Sequence, residues 1–139
     1  MKKTGFTIVE VCISLVLILL FLILPIHAAK EAKEMIDAYR FLTEFEKIVK
    51  LHHQRAVLSS DEAKFTVSKQ YVHFYYQKES FLVYPKGVSY AVSEQISIKF
   101  IQRTGTSNST STIRFLLPSN QYVSYTFKLG RGDYEKSIN

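Results

Sequence analysis

The sequence predicts an α+β chain: one long N-terminal helix, apolar on every side in its first half and amphipathic in its second, packed on a mostly antiparallel β-sheet. Three observations carry this. From Val11 to Ala29 there is no charged residue. From Lys30 to Leu58 charge returns while apolar residues keep recurring every three or four positions. From Lys64 onward the period falls to two.

The chain's 139 residues are one domain's worth, and an apolar content of 47% is ordinary for a folded protein. The single cysteine, Cys12, lies inside the apolar run, which excludes an internal disulfide framework and a cysteine-rich zinc site. Net charge is +6, and the part from Lys30 on holds 16 basic and 11 acidic residues. That is a mildly basic chain.

The charge-free run has 19 residues, which at ~1.5 Å per residue spans close to the ~30 Å hydrocarbon core of a bilayer. Two ordinary accounts fit it. A secretory signal would have its basic start in Lys2 and Lys3 and a small-residue cut after Ile26-His27-Ala28. A plain anchor would keep the lysines on the cytoplasmic side. Neither explains Glu10, because a charge at the centre of a membrane run costs about 2.5 to 3.5 kcal/mol, and somewhat less near its edge.

Gly5-Phe6-Thr7-Ile8-Val9-Glu10, behind a short basic leader, resembles the start of type IV pilins, including the pseudopilins of type II secretion and of Gram-positive competence systems. The resemblance implies a leader over residues 1–5, cleavage between Gly5 and Phe6 by a prepilin peptidase, N-methylation of Phe6, and an assembly role for Glu10. Glycine before the scissile bond lets a protease approach the backbone closely. The new ammonium of Phe6 would need an anion in low dielectric, and Glu10 of the same or a neighbouring subunit would supply it, fixing register in a filament. Residues 6–29 would then be the transmembrane or filament-core helix and residues 30–139 the pilin head.

In the head, residues 30–58 are rich in Ala, Glu, Lys, Leu and Arg, and no proline or glycine interrupts them before Ser59-Ser60-Asp61. Met35, Tyr39, Leu42, Phe45 (or Glu46), Val49 and Ala56, flanked by Ile36 and Ile48, are the face expected to be buried. Joined to the apolar half, Phe6 to Leu58 would make one helix of 53 residues, roughly 80 Å long. Pro25 should kink it or open it locally. His52 and His53 are neighbours on this helix and point apart, so they do not share a metal.

About six strands are expected between 64 and 134. Lys64–Ser68, Tyr71–Gln77 and Ser80–Pro85 are rich in β-branched and aromatic residues and are separated by short turn-forming links, Pro85-Lys86-Gly87 following the third. Further on, Ile96, Ile98 and Phe100, then Ile113, Phe115 and Leu117, then Val123, Tyr125, Phe127 and Leu129 alternate with polar residues and should face the core. His73, in an aromatic strand, reads as a packed or surface imidazole. The Gly105-Thr-Ser-Asn-Ser-Thr-Ser stretch reads as a mobile polar loop. In the tail, Arg131-Gly132-Asp133 forms an adhesion-like triplet that the glycines recast as a turn. Strand, Leu-Gly-Arg-Gly and a short polar end together resemble the C-terminal hairpin of competence pseudopilins.

No nucleophile-and-base pair, glycine-rich phosphate loop or metal-ligand spacing is found, so the reading is no enzyme, no cofactor and no metal. The resemblance implies other partners: the membrane, a prepilin peptidase, a major competence pilin and other minor pilins, in service of DNA uptake. It implies a single-pass membrane protein that moves to the cell surface. Lys99, Arg103, Arg114, Lys128 and Arg131 are then candidate DNA contacts, with Tyr90 or Tyr122 as stacking partners; the plain alternative is a solvated face. Two other functions stay open, a type II secretion pseudopilin and a membrane-tethered extracellular binding protein with an ordinary signal anchor.

Overall fold

The computed structural model describes residues 7–59, 62–75 and 78–139. Helix α1 runs from Ile8 to Leu58 and passes through Pro25 without a break in the helical assignment. Its first part belongs to a unit ending at Lys33, and the rest belongs to a second unit, Glu34–Asn139. In the first unit the described large apolar side chains, Ile8 to Ile23 and Ile26, are exposed, as on a helix with no water-avoiding partner outside a bilayer. This is a single N-terminal helix long and apolar enough to cross a membrane, followed by a β-rich domain.

Among the described residues eight strands follow: β1 (Ala63–Val67), β2 (Tyr71–Tyr75), β3 (Ser80–Val83), β4 (Ser89–Tyr90), β5 (Ile96–Phe100), β6 (Ser111–Leu116), β7 (Tyr122–Phe127) and β8 (Tyr134–Ile138). They form two four-stranded sheets, ordered β3-β2-β1-β5 and β4-β6-β7-β8, instead of the single sheet expected. Every named pair is antiparallel. β4 and β8 went unforeseen. β4 is two residues long, too short for a period to show, and β8 (Tyr-Glu-Lys-Ser-Ile) is mostly polar because only Tyr134 turns toward the core.

Turn chemistry follows the sequence closely. Pro85-Lys86-Gly87 closes with the Val88 N–H donating to the Pro85 carbonyl at 3.1 Å, and Gly87 takes the positive φ of 85° that a type II turn requires at its third residue. Asn120, at φ 61°, turns β6 into β7. The end of α1 is fastened by tertiary structure, since the Arg103 N–H donates to the Ala56 carbonyl at 2.7 Å.

One helix stripe meets both sheets: Ala38, Phe41, Leu42, Phe45, Val49, His52 and Ala56 are buried. The expected face was turned by part of a residue step. Tyr39 and Ile36 are half exposed, and Ala38 and Phe41 take their place. Both sets satisfy the same three-four spacing, and the choice is made by what the sheets offer. Phe41 packs edge-on against Tyr84 and Phe115, 5.4 and 5.3 Å away between ring centres. Phe45 touches Phe65 and Phe74 of the first sheet and Phe115 and Tyr125 of the second. Burying each such ring contributes about 1.5 to 3 kcal/mol, and Phe45 ties the helix to both sheets. Leu129, expected inside, is exposed because β7 ends at Phe127.

The Gly105 loop is likewise not a loose excursion. Ser107 is fully buried, bridges Phe100 and Leu129, and donates its hydroxyl to the Ser109 carbonyl at 2.8 Å. A polar loop without apolar anchors is held here by backbone pairing.

Candidate functional site

At the amino end, Gly5 and Phe6 lie outside the described residues. Glu10 is described, and its carboxylate is engaged locally. Oε2 accepts the Thr7 N–H at 2.9 Å and the Thr7 hydroxyl at 3.1 Å, while the Glu10 N–H lies 3.4 Å from Thr7 Oγ1. This is a reciprocal capping box: Thr7 is the N-cap of α1 and Glu10 its third residue. The Thr-x-x-Glu spacing was the signal for it, and sequence reasoning passed it over. The acid sits beside the positive end of the helix dipole, and a carboxylate has lone pairs left for a further donor.

The five basic candidates are spread over the head. Lys99, on β5, pairs with Glu62, and Lys128, after β7, pairs with Glu135. Arg131 makes a two-pronged contact with Asp133, Nε to Oδ1 and Nη2 to Oδ2, each 2.9 Å. That hydrogen-bonded pairing holds the Asp133 carboxyl below its ordinary value and raises Arg131. The two charges of the Arg-Gly-Asp triplet thus pair with each other while both side chains stay exposed. Arg114 is exposed on the outer side of β6, and Arg103 is exposed in the link after β5, at a positive φ of 64°. Of the two tyrosines proposed for stacking, Tyr122 is partly exposed and Tyr90 is buried beside Phe115, its hydroxyl donating to the Glu94 carbonyl. Lys128 and Arg131 share one turn, the Arg131 N–H donating to the Lys128 carbonyl at 3.1 Å, while Lys99, Arg103 and Arg114 lie on β5, after β5 and on β6.

His52 and His53 point apart as their spacing requires. His52 is buried against Phe74, with Nδ1 3.0 Å from the Ile48 carbonyl, and burial lowers its pKa below the ordinary value. His53 packs on Phe100 and against two backbone glycines. A Cβ at Gly132 would fall 2.2 Å from His53 Nε2, and one at Gly105 would fall 2.8 Å from the same atom. The tail turn needs glycine for close approach to this ring. Among the described residues no group of three His, Cys, Asp or Glu side chains is placed to hold a metal ion.

A surface that sequence reasoning missed is the outer face of the first sheet. β1 and β2 pair Lys64 with Tyr75 and Thr66 with His73, β2 and β3 pair His73 with Phe81 and Tyr71 with Val83, and β1 and β5 pair Lys64 with Lys99. The His73 ring is stacked on Phe81, 4.1 Å between centres at 19°, and lies 3.7 Å from Tyr75, with Glu79 Oε2 3.4 Å from Nε2. Phe81 and Val83 remain 55% and 67% exposed. The period-two pattern placed Phe81 on a strand, but only the register shows that it, His73, Tyr75 and the two lysines share one face.

No family model, no curated protein and no solved structure matches the chain.

Proposed function

We propose that this chain is a minor pseudopilin of a competence type IV pilus serving DNA uptake, of the ComGD kind, with its chain cut after Gly5, Phe6 N-methylated and α1 inserted among neighbouring subunits. One observation carries the reading. The hexapeptide Gly5-Phe6-Thr7-Ile8-Val9-Glu10 stands directly before a charge-free run that continues as the same helix into an α+β domain. In this reading the first unit anchors the protein in the membrane and then lies in the filament core, and the head stays outside the cell. A prepilin peptidase, a major competence pilin and other minor pilins are the partners.

Glu10 is the residue on which assembly turns. Its capping contact with Thr7 holds the carboxylate at the amino end of α1, four positions in sequence after the residue whose amine cleavage would free. An ammonium and a carboxylate brought together out of water are weak as a stabilising device and strong as a registering one, because a misplaced subunit leaves both unpaired.

The test is the mass of the amino-terminal peptide from membrane and sheared-surface fractions of the native host. A peptide that starts at Phe6 and carries one added methyl is expected. An intact Met1, or a start at Ala29, would discard the filament reading in favour of a tethered or secreted binding protein.

A further inference from the structure

The solvent side of α1 carries four charges in alternation. Asp37, Arg40, Glu44 and Lys47 follow one another at spacings of three, four and three residues, which sets them in a single stripe. Arg40, Glu44 and Lys47 are exposed and Asp37 is half-buried. Opposite charges three or four residues apart on a helix ordinarily satisfy each other. Here, among the described residues, none of the four makes an ion pair or a side-chain hydrogen bond, while Glu34 and Glu46 of the same helix pair with Lys86 and Lys136. The one couple four residues apart, Arg40 and Glu44, has the base before the acid, which is the less favourable order. The stripe is also recessed on one flank, where Arg40, Thr43, Glu44, Lys47, Ile48 and Leu51 line a groove of about 470 Å³.

The spacing three, four, three reads the same from either end, and the charges invert on reversal. A second copy of the stripe laid antiparallel, centred on the level of Leu42, therefore sets Asp37 against Lys47 of the second copy and Arg40 against its Glu44. The two-fold axis repeats both pairs, so all four charges on each chain meet their opposites. A parallel copy in register sets each charge against its like, which is repulsive. A parallel copy shifted by one step leaves a charge unmatched at each end and makes a contact that does not close on itself.

We propose that this stripe is a homodimer contact, in which two copies of the chain meet antiparallel along Asp37 to Lys47 of α1. Exposed ion pairs are individually weak, and a contact of this length belongs to the small, transient class. The dimer therefore forms at high protein concentration and comes apart as salt rises. The stripe lies wholly within the second unit, and the inference does not depend on the pilus reading.

The experiment is sedimentation equilibrium of the full chain in density-matched nonionic micelles, at low and at high salt. A dimer at low salt that dissociates at high salt is expected. Arg40→Glu and Glu44→Arg should each weaken it about tenfold or more, because each turns two attractive contacts into repulsive ones. Mixing the two variants should recover the dimer, since each then meets the opposite charge at both positions, and combining both changes in one chain should recover it too. Arg114→Glu makes the same change of charge on β6 and should have no effect. All three positions are exposed, and unchanged circular dichroism confirms that the variants are folded. The antiparallel sense is read by electron–electron distances between spin labels at Gln54→Cys, with Cys12→Ser. Gln54 lies twelve residues past Leu42, so the labels should stand about 36 Å apart along the axis, against about 10 Å in a parallel pair. The proposal is overturned by a chain that stays monomeric at low salt, by association that neither single reversal weakens, by a mixture that does not recover, or by the short distance. Association indifferent to salt, as apolar contact between the first parts of α1 would give, overturns it as well.

Discussion

Glu46 Oε1 accepts two hydrogen bonds at 2.7 Å, from the buried Tyr125 hydroxyl and from Lys136 on β8. The contact joins helix, β7 and β8 across 79 and 90 positions of sequence, which is why spacing gave no hint of it. Burial, and then the bond to Glu46, push the Tyr125 hydroxyl far above its ordinary pKa. Tyr125→Phe should therefore lower stability by about 1.5 kcal/mol, the worth of a hydrogen bond to a charged acceptor, as read by urea denaturation. Gly132→Ala drives a methyl into His53 and the Gly105 carbonyl, and a loss of about 1 to 3 kcal/mol is expected. His52 sets a pH dependence. Its ordinary value is 6.5 and burial lowers it, so the unfolded chain takes up the proton first. Stability is then full above about 6.5 and declines as pH falls below it. The melting temperature of the head should drop between neutral and mildly acidic pH, and His52→Leu should flatten that drop. An identical slope in the variant would remove His52 as its source.

At the scale of elements, α1 and β7 carry the core. Phe45→Ala removes a ring that touches both sheets and should cost about 3 to 5 kcal/mol, enough to unfold a head of ordinary stability. β8 has the opposite character. Its side chains are mostly exposed, yet it covers the edge of β7, and Tyr134 packs on Tyr125 and Phe127. Deleting residues 134–139 should leave an open, apolar edge strand and turn a monodisperse head into an aggregating one by light scattering. At the other end, if the chain assembles as proposed, Glu10→Gln should leave cleavage at Gly5 intact and reduce co-purification with pilus subunits. Unchanged assembly would sink the register role. The local Thr7 contact predicts in addition a small loss of helix at the amino end, of the order of 1 kcal/mol as for other lost caps.

At the scale of the whole molecule, the two units differ in what covers their apolar surface. Among the described residues, the first exposes its large apolar side chains, and the second closes a core of its own. A fragment beginning at Lys30 is therefore expected to be soluble and to show mixed helix and sheet by circular dichroism; aggregation would mean that this domain depends on the apolar first part of α1.

Periodicity by itself determined the α+β class and the inward sets of β5 and β6, because a buried face leaves a repeat in the local sequence whatever it packs against, and the turn residues Ser59-Ser60-Asp61 marked the end of the helix near Leu58. Composition and order around Gly5-Phe6-Glu10 carried the functional reading. Tertiary structure alone decided which of two equivalent helix stripes was buried, how eight strands divided into two sheets, and which residues met on the outer face of the first. The physical reason is the same each time. Strand order and register are set by contacts between segments far apart in the chain, and a ring such as Phe81 reads alike whether its far side faces a core, a lysine or water.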